Sequence, residues 1–106
     1  MYKEITPAEL EAEIARGTAL RLIDVREPVE HELARIEQAE LLPLSRFNDW
    51  ATRITPDEEI VVMCHHGVRS AQVCMFFARQ GFSNLRNLAG GIDAWSLEVD
   101  SDVPRY

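Results

Sequence analysis

Cys64-His65-His66-Gly67-Val68-Arg69-Ser70 is the stretch of this chain whose residue types and spacing could do chemistry. A thiol becomes a strong nucleophile when it ionises, and nearby cations or a helix N-terminus favour the ionised form. The near-continuous apolar run Ile60-Val61-Val62-Met63 reads as a buried strand leading into Cys64, and Arg69 to Gln80 reads as a helix leading away and ended by Gly81. Between them Gly67 permits a tight turn whose successive N–H groups point inward as an anion-holding nest. Arg69 then stands at the mouth of that cradle, contacting an anionic ligand or bracing the loop. One of His65 and His66 offers a ring N–H to the same anion, and Val68 belongs to the cradle wall. Ser70 reads as a helix-start residue. The implied chemistry is nucleophilic attack by Cys64 on a small anionic substrate.

The other reactive side chains read more plainly. Cys74, beside Val73 and Phe77, is a core thiol, with a resolving cysteine as the alternative. Adjacent His65 and His66 beside a cysteine lack the spaced-ligand pattern of structural zinc sites, so no metal is assigned. Asp24 ends a strand near the same edge as Cys64. It orients Arg26 or braces the loop, and both are supporting residues. His31, between Glu30 and Glu32, reads as a surface helix residue, and Gly90, Gly91 and Trp95 as a helix start and core packing.

The elements that must position Cys64 alternate along the chain. Tyr2 to Ile5 is a short strand. Thr6-Pro7-Ala8-Glu9 is a capping-box pattern opening a helix with Leu10, Ile14 and Ala15 on one stripe. Leu20 to Val25 is a strand, Val29 to Arg35 a short helix and Ala39 to Leu42 a weak strand. Ser45 to Ile54 is a helix capped by Ser45, and Asn84 to Leu88 a last strand before a helix through Trp95. Alternation of strand and helix predicts an α/β layer with a mostly parallel sheet. Ligands in such sheets sit beyond the carboxyl ends of the strands, where Cys64 lies.

Composition narrows the class. The 106 residues carry 11 Lys+Arg against 18 Asp+Glu, a net charge of −7, and 46% hydrophobic residues. That length and apolar content suit one domain over residues 1–106. The acidic balance argues against nucleic acid as a partner. No apolar run approaches the ~20 residues that span a bilayer, and the start has no apolar signal region. With two cysteines and no disulfide framework, a soluble, cytoplasmic protein is expected.

The Cys64–Ser70 segment resembles the active-site loop of the rhodanese (sulfurtransferase) family. Leu22-Ile23-Asp24-Val25-Arg26, with Glu27-Pro28-Val29-Glu30 after it, is similar to the family's Asp-Val-Arg segment. Leu88-Ala89-Gly90-Gly91-Ile92-Asp93-Ala94-Trp95 is similar to its closing Gly-Gly-x-x-Ala-Trp signature. The resemblance implies a five-stranded sheet flanked by helices on both faces. It implies that Cys64 takes sulfane sulfur from a small anionic donor such as thiosulfate, as a persulfide. Cyanide or a cellular thiol then accepts the sulfur, or a sulfur-relay protein takes part, with no cofactor. Two rivals are a cell-cycle dual-specificity phosphatase or arsenate reductase, and a non-turnover sulfur-carrier or protein-interaction module. The phosphatase relatives carry five residues between Cys and Arg, whereas four separate Cys64 from Arg69. Two departures stand out: Ala34-Arg35-Ile36 and Glu37-Gln38 replace the frequent Gly-His-Ile and Pro-Gly. His65 and His66 also stand where thiosulfate-active relatives often place Arg or Lys.

Overall fold

A computed structural model describes all of residues 1–106. Strand β1 (Lys3–Ile5) leads into α1 (Pro7–Ala15). The start of α1 is set locally: the Thr6 hydroxyl accepts the Glu9 N–H at 3.1 Å, and the Glu9 carboxylate accepts the Thr6 N–H at 2.9 Å. β2 (Arg21–Asp24) is followed by α2 (Pro28–Leu33) and a two-residue β3 (Glu40–Leu41). Two 3-10 turns, Leu44–Arg46 and Ala51–Arg53, flank the single α-helical turn α3 (Phe47–Trp50). β4 (Ile60–Met63), α4 (Val68–Arg79), β5 (Leu85–Leu88) and α5 (Gly91–Glu98) complete the chain.

The sheet order is β1-β5-β4-β2-β3, and every neighbouring pair is parallel. The expected mostly parallel sheet is therefore wholly parallel. β4 is central, with all four of its residues buried. Its side chains alternate between two cores, which is why it reads as an unbroken apolar run. Ile60 and Val62 join Ile23, Trp50, Val73 and Phe77 on one face; Val61 and Met63 join Leu10, Leu22, Ile92 and Trp95 on the other. Helices thus cover both faces. Each fully buried aliphatic side chain contributes about 1.5–3 kcal/mol, so β4 is the best-anchored strand from which to hang a loop. No helix is long and apolar enough to cross a membrane.

The largest departure from the sequence reading lies between residues 44 and 54. A continuous helix capped by Ser45 was expected there, but Ser45 caps nothing. Its N–H and hydroxyl both donate to the Glu27 carboxylate. The Trp50 indole N–H donates to the Pro43 carbonyl at 2.9 Å, which draws the chain into short turns. Boundaries also move: α2 stops at Leu33 because Ala34 is extended, α4 begins one residue early at Val68, and α5 runs on to Glu98. His31 is half-buried rather than a plain surface residue.

Candidate active site

Cys64 follows the last residue of β4, and residues 65–67 form the loop into α4. Gly67 is the residue before the first helical turn and has φ +100°, a left-handed value at which any side chain is strained. The turn wraps the sulfur. Cys64 Sγ accepts the Gly67 N–H at 3.1 Å and the Ser70 N–H at 3.4 Å, so it sits on the positive end of α4. The residue is 1% exposed.

Ser70 does more than start a helix. It is fully buried, and its hydroxyl lies 3.2 Å from Cys64 Sγ and 2.5 Å from Asn87 Oδ1. Asn87, on β5, is pinned the other way round. Its amide nitrogen donates to the Gly67 carbonyl at 3.1 Å and to the Glu4 carboxylate at 3.2 Å, so its oxygen must face Ser70. An amide oxygen only accepts. With Cys64 as thiol, the single Ser70 proton goes to Asn87, and a Ser70 lone pair receives the S–H. Nothing local in the sequence marks Asn87 for this place.

The far side of the loop is held by α5. The Ile92 N–H donates to the Cys64 carbonyl at 2.9 Å and the Asp93 N–H to the His65 carbonyl at 3.1 Å. Gly91 lies so close that a Cβ there would overlap both carbonyls. Gly91 is therefore a contact point of the loop as well as the start of a helix, while Trp95 packs in the core.

Arg69 does not stand free at the mouth. Its guanidinium grips the Glu30 carboxylate through two hydrogen bonds, at 2.7 and 2.8 Å. Glu30 also accepts the Tyr106 hydroxyl at 2.9 Å and the Glu27 N–H at 3.0 Å. Chiefly the Arg69 hydrogen bonds, working against partial burial, hold its carboxyl down at about 2. Behind it, Asp24 and Arg26 are fully buried together, with a 2.8 Å contact. The Arg26 guanidinium is completed by the Ala34 carbonyl at 2.6 Å, the Glu30 carbonyl at 3.2 Å and the Tyr106 hydroxyl at 2.9 Å. A buried guanidinium persists only when its donors are matched in this way.

Tyr106 also stacks on His65, with ring centroids 3.8 Å apart and planes 10° apart, and His65 stacks on His66 at 3.8 Å. Burial, helped by the neighbouring His66, pushes the His65 imidazole below its ordinary value, so it is largely neutral at pH 7. His66 and Val68 are exposed. His65, His66 and Asp93 form a cluster of metal-ligand types. Their ligand atoms lie within 4.8 Å of one another, but Asp93 is engaged by Arg105 at 2.8 Å. Cys74 is buried in the β4–α4 core, and burial pushes its thiol up to about 12. The largest surface cleft, about 360 Å³, is lined by Ile14, Ile36, Trp95 and Val99 and lies apart from the Cys64 loop.

The family model for the rhodanese-like domain matches residues 6–98. The chain belongs to the rhodanese-like family. It is 43% identical over 90 residues to Rhodanese-like/PpiC domain-containing protein 12, chloroplastic, of Arabidopsis thaliana, covering 81% of this chain and 30% of that protein. It is 36% identical over 97 residues to the putative sulfurtransferase YtwF of Bacillus subtilis, covering 92% and 93% of the two chains. Among solved structures, a rhodanese-related protein from Thermoplasma volcanium superposes with TM-score 0.81 at 32% identity, covering 92% of this chain and 94% of that one. The chain spans 26–30% of the first few curated relatives, so it matches a rhodanese-like unit inside longer proteins as well as relatives of its own size.

Proposed function

We propose that this rhodanese-like chain is a sulfurtransferase working through a Cys64 persulfide, with residues 1–106 as one functional domain. The observation that carries the reading is the seat of the sulfur: Sγ held by the Gly67 and Ser70 amides at the start of α4. The names of full-length relatives, including a sulfurtransferase of Allochromatium vinosum 33% identical over 96 residues, support it. The Cys64 thiolate attacks the sulfane sulfur of a donor such as thiosulfate. A Cys64 S–S bond forms, the donor S–S bond breaks, and sulfite leaves with the bonding pair. A thiophilic acceptor, cyanide or a cellular thiol, then takes the outer sulfur and restores the Cys64 thiolate. In this reading Cys64 is the nucleophile, and His65, His66, Gly67, Val68 and Arg69 form the substrate-binding loop. Ser70, Asp24 and Arg26 hold that loop in place. The loop amides stabilise the negative sulfur in both half-reactions.

Mass spectrometry of the intact protein tests this. A gain of about 32 Da on Cys64 after a sulfane-sulfur donor, removed by cyanide, is expected. Robust Cys64-dependent hydrolysis of p-nitrophenyl phosphate without sulfur uptake would replace this reading by the phosphatase one. Sulfur uptake only in the presence of a partner desulfurase would make the chain a relay module.

A further inference from the structure

We propose that Glu30 is a charge filter: by closing Arg69 into an ion pair, it turns the site away from dianionic donors such as thiosulfate and toward a monoanionic persulfide, R–S–S⁻. The inference rests on the sulfurtransferase reading and names the donor class for the same site.

Every guanidinium around the loop is already matched to a carboxylate: Arg26 to Asp24, Arg69 to Glu30 and Arg105 to Asp93. His65 is pushed toward its neutral form. The counter-charge left for a donor is therefore the partial charge of the amides and of the α4 N-terminus. That suits one negative charge spread over a terminal sulfur. A dianion needs more, and the full cation that the loop itself leads into is Arg69. To reach it, the dianion must displace a carboxylate that already takes both guanidinium hydrogen bonds, the Tyr106 hydroxyl and the Glu27 N–H. The displaced carboxylate then stays beside the incoming charge. Glu30 is a side chain whose removal would leave Arg69 open to an oxyanion, and it touches neither the sulfur nor the loop amides.

The transfer balances without another reactant. The bound R–S–S⁻ takes the Cys64 S–H proton. The Cys64 thiolate then attacks the outer sulfur of the resulting R–S–SH, the Cys64 S–S bond forms, the donor S–S bond breaks, and R–S⁻ leaves with the bonding pair.

The test compares thiosulfate with the persulfide of 2-mercaptoethanol, reading cyanide-releasable sulfur on Cys64 as kcat/KM for each donor. The unaltered chain is expected to prefer the persulfide. In Glu30→Gln the thiosulfate-to-persulfide ratio is expected to rise on the order of 10–100-fold, because the uncharged amide releases Arg69. A ratio changed by less than about threefold in folded protein, or an unaltered chain that prefers thiosulfate, overturns the filter. Failure of both donors to load Cys64 in the unaltered chain overturns the sulfurtransferase reading itself, and the filter with it. A measurement on the unaltered chain guards against a folding defect in the variant: half-protection of Cys64 from alkylation by sulfate should require more than about 1 mM, and protection below that overturns the proposal.

Discussion

Ser70 reaches the Cys64 sulfur twice, through its N–H at 3.4 Å and through its hydroxyl at 3.2 Å. The two contacts are separable, because alanine keeps the first and deletes the second. When Cys64 ionises, the single Ser70 proton turns from Asn87 to the sulfur, so Ser70→Ala is expected to slow sulfur loading of Cys64 about 3–30-fold, the worth of a hydrogen bond to a charged group less the one given up at Asn87. It also strips Asn87 Oδ1 of its donor in a buried place, so a loss of about 1–3 kcal/mol in urea unfolding should accompany it. An unchanged loading rate would remove the hydroxyl from the chemistry.

Gly91→Ala tests the loop's rear support. The new methyl must push away the Cys64 and His65 carbonyls, and φ is +61° there. A loss of about 2–4 kcal/mol is expected, read by denaturant unfolding, with sulfur loading falling in the protein that remains folded.

Cys74 should be silent. With burial holding its thiol up at about 12, it stays protonated at pH 8, and iodoacetamide should label Cys64 alone in the folded protein. Peptide mapping after labelling decides this. Modification of Cys74 at a rate comparable to Cys64 would mean that the α4 face opens readily.

Asp24→Ala leaves the buried Arg26 guanidinium without its carboxylate. Such a change typically costs about 3–5 kcal/mol. The thermal midpoint of the variant should drop accordingly, while Asp24→Asn, which keeps the shape and one acceptor, should fall in between.

The Glu30–Arg69 pair sets an acid limit. The Glu30 carboxyl lies at about 2 in the folded chain against an ordinary 4.5. Its folded value is lowered, so its stabilising contribution is complete above about pH 4.5 and is lost as pH falls toward 2. The melting-temperature gap between the unaltered protein and Glu30→Gln should therefore be widest near neutrality and close across that window. A gap constant from pH 7 to pH 2.5 would contradict the ion pair.

Much of this was legible in the sequence where the physics is local. Thr6 and Glu9 announce a helix start because the capping partners are three residues apart. The β4 run announces a strand covered on both faces because every side chain in it is apolar. The rhodanese-like assignment followed from three short segments in order. What stayed hidden is long-range. Arg69 reads as a ligand contact or a brace of the loop, with no partner for it in view, until Glu30, 39 residues earlier, is brought beside it. Asn87 and Tyr106 carry no motif that ties them to Ser70 or His65, since strand order and stacking set those meetings. The stretch from Ser45 to Ile54 misled because helical spacing is real there, while Glu27 and Pro43 supply competing partners from outside the segment.

That only one hundredth of the Cys64 surface is open has a bearing on custody. Sulfane sulfur is easily stolen by stray thiols, which must line up along the S–S axis to react. Roofed by its own turn, Cys64 shows almost nothing of itself to solvent, so cargo parked there would be withheld from most passing molecules.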